Sequence, residues 1–158
     1  MMAGTINKEL RHIANNYKSL PISIRRGTGI YLEDTYGRKY MDFIGGYSAV
    51  NQGHCHPKIV GELKKQASKL TICSRAFHNE MLAEYGAFMT NRFNYEKILP
   101  TNTGVEAVET GMKIARSWGY NKKYIDKGKA KIIVANNNFG GRTITAVSAS
   151  TDPTAYED

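Results

Sequence analysis

Apolar positions return along this chain with two different periods. Ile59, Val60, Leu63, Ala67 and Leu70 recur at helical spacing behind Pro57, which suits a first helical position, so the pattern predicts a helix over 57–70. A second helix is expected from Asn79, with Leu82, Tyr85, Phe88, Met89 and Phe93 on one face, and Pro100 breaks the chain after it. Thr103-Gly104-Val105-Glu106 then has the form of a capping box, in which Thr103 accepts from the N–H of Glu106 and the Glu106 side chain returns the bond. With Val108, Met112 and Ala115 behind it, this predicts a third helix from Val105 to about Trp118.

Strand patterns are shorter. Ile30 to Asp34 and Arg38 to Phe43 are two β-prone runs around a turn containing Asp34 and Gly37, which predicts a hairpin. Lys131-Ile132-Ile133-Val134-Ala135 reads as a strand buried on both faces, following a helix as in an α/β layer. The stretch 5–20 is polar with scattered apolar residues and is expected to be an N-terminal arm or short helix. A polar tail follows the single buried-type strand, and a parallel sheet cannot be built from one strand, so its neighbours are expected from outside this sequence.

Composition changes little in this picture. At 158 residues, 41% hydrophobic and 23% charged, the chain is ordinary for a soluble domain. The net charge of +8 is spread, with at most two basic residues adjacent, so a solvated basic surface suited to anionic ligands is expected, and no nucleic-acid partner. No apolar run is long enough for a signal peptide or a membrane span. Glu9 and the scarcity of early arginines argue against a mitochondrial transit peptide, which leaves the cytoplasm as the expected location. Cys55 and Cys73 are expected as reduced thiols, and His54-Cys55-His56 lacks the spacing of a metal site, so no metal is expected.

Two segments carry candidate chemistry. Thr103 to Glu106 places backbone N–H groups at a helix N-terminus, and Gly104 lets a ligand approach, which makes an anion site suited to phosphate. Asn137 to Thr143 follows the expected strand, where Phe139 can stack on a planar ring and Arg142 can grip a carboxylate through two bonds. Each has a plainer reading: a capping box that only starts a helix, a core phenylalanine, a surface cation. Dinucleotide, P-loop and serine-nucleophile motifs are absent from the sequence.

Four segments taken in order, 46–57, 71–77, 102–110 and 138–143, resemble the class III pyridoxal-phosphate-dependent aminotransferases, and among these the ornithine aminotransferase family. The resemblance runs from about Asn15 to the last residue and implies a fold type I, aspartate-aminotransferase-like α/β architecture. Residues 1–45 would be an arm and hairpin of the small domain, and 46–158 an incomplete first part of the large cofactor-binding domain.

It further implies pyridoxal phosphate held by Gly104 and Val105 with Phe139 on its ring, Arg142 on a substrate carboxylate, and Tyr17 and Tyr47 lining an ornithine pocket. Gly140 departs from the family, which commonly has a bulky residue there, often Trp or His. The resemblance implies amino acid and 2-oxo acid substrates, and a homodimer with active sites at its interface, to which the loop Ser74 to Phe77 would contribute. The lysine that forms the Schiff base matches no lysine here, so no catalytic residue is expected within this chain.

Overall fold

A computed structural model describes residues 2–155. They divide into two compact units, one ending at Phe77 and the other beginning at His78.

The first unit opens with helix α1 (Met2–His12), in keeping with the expected arm. An antiparallel sheet follows in the order β1 (Ile24–Thr28), β2 (Tyr31–Asp34), β3 (Lys39–Met41). The expected hairpin is β2–β3, in register Tyr31 to Met41 and Glu33 to Lys39. β1 escaped the sequence pattern because its residues, Ile-Arg-Arg-Gly-Thr, do not alternate; it pairs with β2 across an irregularity between Ile24 and Arg26.

The hairpin turn is built on Asp34, whose side chain is fully buried. Its Oδ1 accepts the N–H groups of Tyr36 and Arg38 at 2.8 and 2.9 Å, and its Oδ2 accepts the Arg38 guanidinium and the Tyr40 hydroxyl, both at 3.0 Å. Gly37 takes φ +83 and donates its N–H to the Asp34 carbonyl at 3.0 Å. Asparagine-like or glycine residues are favoured in such a conformation, so Gly37 is where the turn demands it.

After β3 comes α2 (Gly45–Ser48), a single turn in which all four residues have φ between +55 and +70. It is therefore left-handed. Helix α3 (Pro57–Ala67) begins at the proline as expected and stops three residues before the expected end at 70.

In the second unit, α4 (Glu80–Phe93) is capped by Asn79, whose side chain accepts from the Leu82 N–H at 3.0 Å, and it ends on Asn94 in a left-handed conformation. Helix α5 (Gly104–Asn121) starts at the capping box and runs three residues beyond the expected Trp118. The short α6 (Ile144–Ser148) starts from Thr143 and buries Ala146. A 3₁₀ turn spans Pro153–Ala155.

The expected strand over 131–135 is corrected: the segment forms no ladder among the described residues. Ile133 is 96% exposed, while Ile132 and Val134 on either side are 41% and 39% exposed. The sequence run has strand composition, but a strand exists only through hydrogen bonds to a neighbour, and no other described segment pairs with it. Ala146 is the one hydrophobic residue fully buried among those described.

Burial raises the Asp34 carboxyl, and the hydrogen bonds from Arg38, Tyr40 and Tyr36 lower it further than burial raises it, leaving it below the ordinary 3.8. Stability from a depressed carboxyl is present above the ordinary value and lost as pH falls through the folded one. Asp34→Asn is therefore expected to lower the urea midpoint at neutral pH, and the gap from wild type should close as pH falls below 3.8. Parallel urea titrations of both proteins check this; a gap that persists unchanged in acid would contradict it.

Candidate functional site

The candidate anion site at the start of α5 depends on which N–H groups there are already hydrogen-bonded. An α-helix leaves its first four without helical partners. Here Glu106 Oε2 accepts from Thr103 at 2.8 Å and from Asn102 at 2.7 Å, while Thr103 Oγ1 accepts from Glu106 at 3.2 Å. Both halves of the expected capping box are thus formed. Gly104 and Val105 are left, and their N–H groups have no partner among the described residues. A Cβ on Gly104 would meet nothing within 4 Å, so the backbone there is open to a ligand.

The segment after residue 135 is drawn against this helix start. Asn137 adopts φ +56 and donates its N–H to Thr151 Oγ1 at 2.7 Å. The Asn138 amide donates to the carbonyls of Ala135 and Ala149 at 2.7 and 2.9 Å, pinning both ends of the loop. Gly141, at φ +126, lies so close to Val105 that an added Cβ would come 2.6 Å from the Val105 Cβ. Only glycine fits there. Gly140, by contrast, would meet Val108 Cγ1 at an ordinary 3.5 Å.

Phe139 is 79% exposed, so its ring is not packed against the described residues of this unit. Arg142 is exposed and forms no ion pair among the described residues. Val105 and the 139–142 segment are thus brought together within one unit, through Gly141. Sequence reading singled out Gly140 of this pair and missed its neighbour; the tandem glycine was the available signal, but which of the two touches the helix depends on φ.

In the first unit, the hydroxyls of Tyr17 and Tyr47 are hydrogen-bonded to each other, so two residues 30 apart in sequence meet. Tyr47 stands on the left-handed turn and is 78% exposed. The turn is fixed from Asp42, whose Oδ1 accepts the N–H groups of Ile44 and Gly45, each at 3.0 Å. Asp42 Oδ2 lies 2.7 Å from His54 Nε2. The His54 contact, then the Gly45 N–H, hold this carboxyl below its ordinary 3.8 against the effect of burial. His54 is therefore a structural partner of Asp42, and no group of metal-ligating side chains forms among the described residues. Sequence reading missed Asp42 altogether, since nothing in its spacing links it to a histidine 12 residues on.

Residues 12–158 match the aminotransferase class-III family. The chain belongs to the class-III aminotransferase family.

Rat mitochondrial ornithine aminotransferase is 56% identical over 150 residues, covering 95% of this chain and 34% of its own length. Among solved structures, an ornithine aminotransferase from Toxoplasma gondii, described with partial occupancy of pyridoxal phosphate at its active site, superposes with a TM-score of 0.97 at 40% identity. It covers all of this chain and 37% of that one. Acetylornithine aminotransferase from Elizabethkingia anophelis gives a TM-score of 0.84 at 50% identity, over 97% of this chain and 38% of its own.

This class-III aminotransferase chain therefore spans about a third of the length of the relatives it matches. Its helices and antiparallel sheet are part of the fold type I α/β architecture of those neighbours, as expected. No helix among the described residues is long and apolar enough to cross a membrane.

The two glycines generate a contrasting pair of outcomes. Gly141→Ala should cost about 1–3 kcal/mol, from the contact with Val105 and a positive φ. Gly140→Ala should stay within about 0.5 kcal/mol. Chemical unfolding of the two variants measures both, and equal costs would contradict the assigned contact.

Proposed function

We propose that this chain is the N-terminal part of an ornithine 5-aminotransferase, converting ornithine and a 2-oxo acid to glutamate 5-semialdehyde and an amino acid. The observation that carries the reading is the pair of open N–H groups at Gly104 and Val105, with the Phe139 to Arg142 segment held against them by Gly141. An open helix start binds a phosphate dianion through its amides and its dipole.

The residues fit pyridoxal phosphate. Gly104 and Val105 would donate to its phosphate, and the exposed face of Phe139 would lie on its ring. When bound, the cofactor supplies an electron-withdrawing ring that stabilises negative charge at the substrate carbon. Arg142, with no competing carboxylate among the described residues, would take a substrate carboxylate in a two-bond grip and so fix its orientation. The hydroxyl pair of Tyr17 and Tyr47 would offer oxygen acceptors to the ornithine amino groups.

No lysine of this chain is assigned to the proton transfer. Lys113 lies in α5, and Lys129 and Lys131 lie in the irregular segment before the candidate site. The division into a small-domain part up to residue 45 and a large-domain part from 46 remains part of the proposal. A homodimer is proposed on the same footing, supported by the 84% exposure of Ile72 and 68% exposure of Phe77 around the loop expected at the interface. A cytoplasmic location is proposed as well. The relatives include ornithine aminotransferases named mitochondrial, such as that of rat, and one of Saccharomyces cerevisiae named without that label, at 51% identity.

The similarity to an acetylornithine aminotransferase at 50% identity supports a second reading, in which the acetylated amine is the substrate. An acetylated amine is neutral and bulkier than the amine the tyrosine hydroxyls would accept from. With the rat relative supplying the remainder of the length, the completed enzyme should prefer ornithine over acetylornithine and 4-aminobutyrate by about tenfold or more in kcat/KM. Steady-state rates with the three amines decide it, and a preference for acetylornithine would replace the first reading with the second.

A further inference from the structure

Tyr47 is placed by backbone strain that the surrounding residues must offset. Gly45, Gly46, Tyr47 and Ser48 have φ values of 56, 58, 55 and 70° in succession. Glycine takes this conformation freely, while a residue with a Cβ is strained in it, so Tyr47 and Ser48 oppose the turn. Such a run persists only where its ends are fixed. Tyr47 is 78% exposed, and its hydroxyl meets that of Tyr17.

One carboxylate and one imidazole fix both ends of this segment. At the entry, Asp42 donates its own N–H to Ile30 at 2.9 Å and accepts the next two available amides, of Ile44 and Gly45. At the exit, His54 exchanges backbone hydrogen bonds with Gly29, at 3.0 and 2.8 Å. Its ring covers Gly27, where an added Cβ would come 2.8 Å from His54 Cγ. Gly53, at φ +88, would clash with the Gly29 backbone if it carried a Cβ, which would lie 3.0 Å from Gly29 Cα. The 2.7 Å contact between Asp42 Oδ2 and His54 Nε2 closes the loop across its base. The side chains are 9% and 20% exposed respectively, sheltered enough for the contact to be held in place.

We propose that Asp42 and His54 are positioning residues that close the left-handed turn and so aim the Tyr47 hydroxyl at the substrate side chain. This rests on the reading of Tyr47 as a pocket residue. The pair touches neither substrate nor cofactor; it acts by removing the other conformations open to a strained and exposed tyrosine. Loss of the contact frees the turn to relax toward negative φ, which carries the phenol away from Tyr17. Gly104, Val105 and Arg142, proposed above for a phosphate and a carboxylate, belong to the other unit.

The test uses the completed enzyme with His54→Ala, His54→Gln, Asp42→Asn and Tyr47→Phe. Glutamine keeps an N–H donor for Asp42, and asparagine keeps the acceptor for Ile44 and Gly45, so these two preserve the fold where alanine endangers it. His54→Ala should raise the ornithine KM about tenfold while the 2-oxo acid KM and pyridoxal phosphate retention stay unchanged. His54→Gln should recover most of that loss, and Asp42→Asn should fall between. If Tyr47→Phe weakens ornithine binding and the His54 and Asp42 variants do not, the positioning role is overturned alone. If Tyr47→Phe leaves the ornithine KM unchanged, the pocket reading fails and takes the proposal with it. Equal loss for both substrates with falling cofactor retention, unrelieved by His54→Gln, would mean a structural role only.

Discussion

Carboxylate oxygens accepting pairs of backbone N–H groups are the contact on which this chain's geometry depends. Asp34 takes the amides of Tyr36 and Arg38, Asp42 those of Ile44 and Gly45, and Glu106 those of Asn102 and Thr103. Each sits where the chain reverses or a helix begins, where the backbone has donors and no regular partner. An ionised acceptor makes shorter and stronger bonds than a neutral one.

The same contact explains why the α5 start is available for a ligand. A capping box satisfies the N-cap and third amides reciprocally and leaves the first and second. At this helix those are Gly104 and Val105, one without a side chain and the other the residue against which Gly141 packs. Stabilising the helix and exposing two donors are consequences of one arrangement. Glu106 spends its charge on Asn102 and Thr103, which turns it away from the open pair and limits its competition with an anion.

What the sequence disclosed and what it withheld divide along the reach of the interactions. The capping box at Thr103 and Glu106, the proline start of α3, the Asn79 cap and the Asp34 hairpin turn are contacts within a few residues, and each was legible. Tyr17 and Tyr47 were tied to one pocket by resemblance alone, and their hydrogen bond spans 30 residues. The Asp42 contact to His54 and the Gly141 contact to Val105 are equally remote and left no periodic trace. The segment 131–135 forms no ladder because composition records a strand's preference and not its partner, which the described residues do not supply and which was expected from outside this sequence.

Gly140 and Gly141 look interchangeable in the sequence, and physically they are not. Gly141 has a positive φ and no room for a Cβ, so its identity follows from backbone packing. Gly140 has neither constraint: its added Cβ would make ordinary contacts with Val108 and Ala146, at 3.5 and 3.8 Å. Nothing among the described residues requires glycine there. A small residue where the backbone tolerates a larger one alters the space beside Phe139 and Arg142 without altering how either is held. The missing side chain at Gly140 therefore bears on the space beside Val108 and Ala146, while Gly141 bears on how closely its segment meets the start of α5.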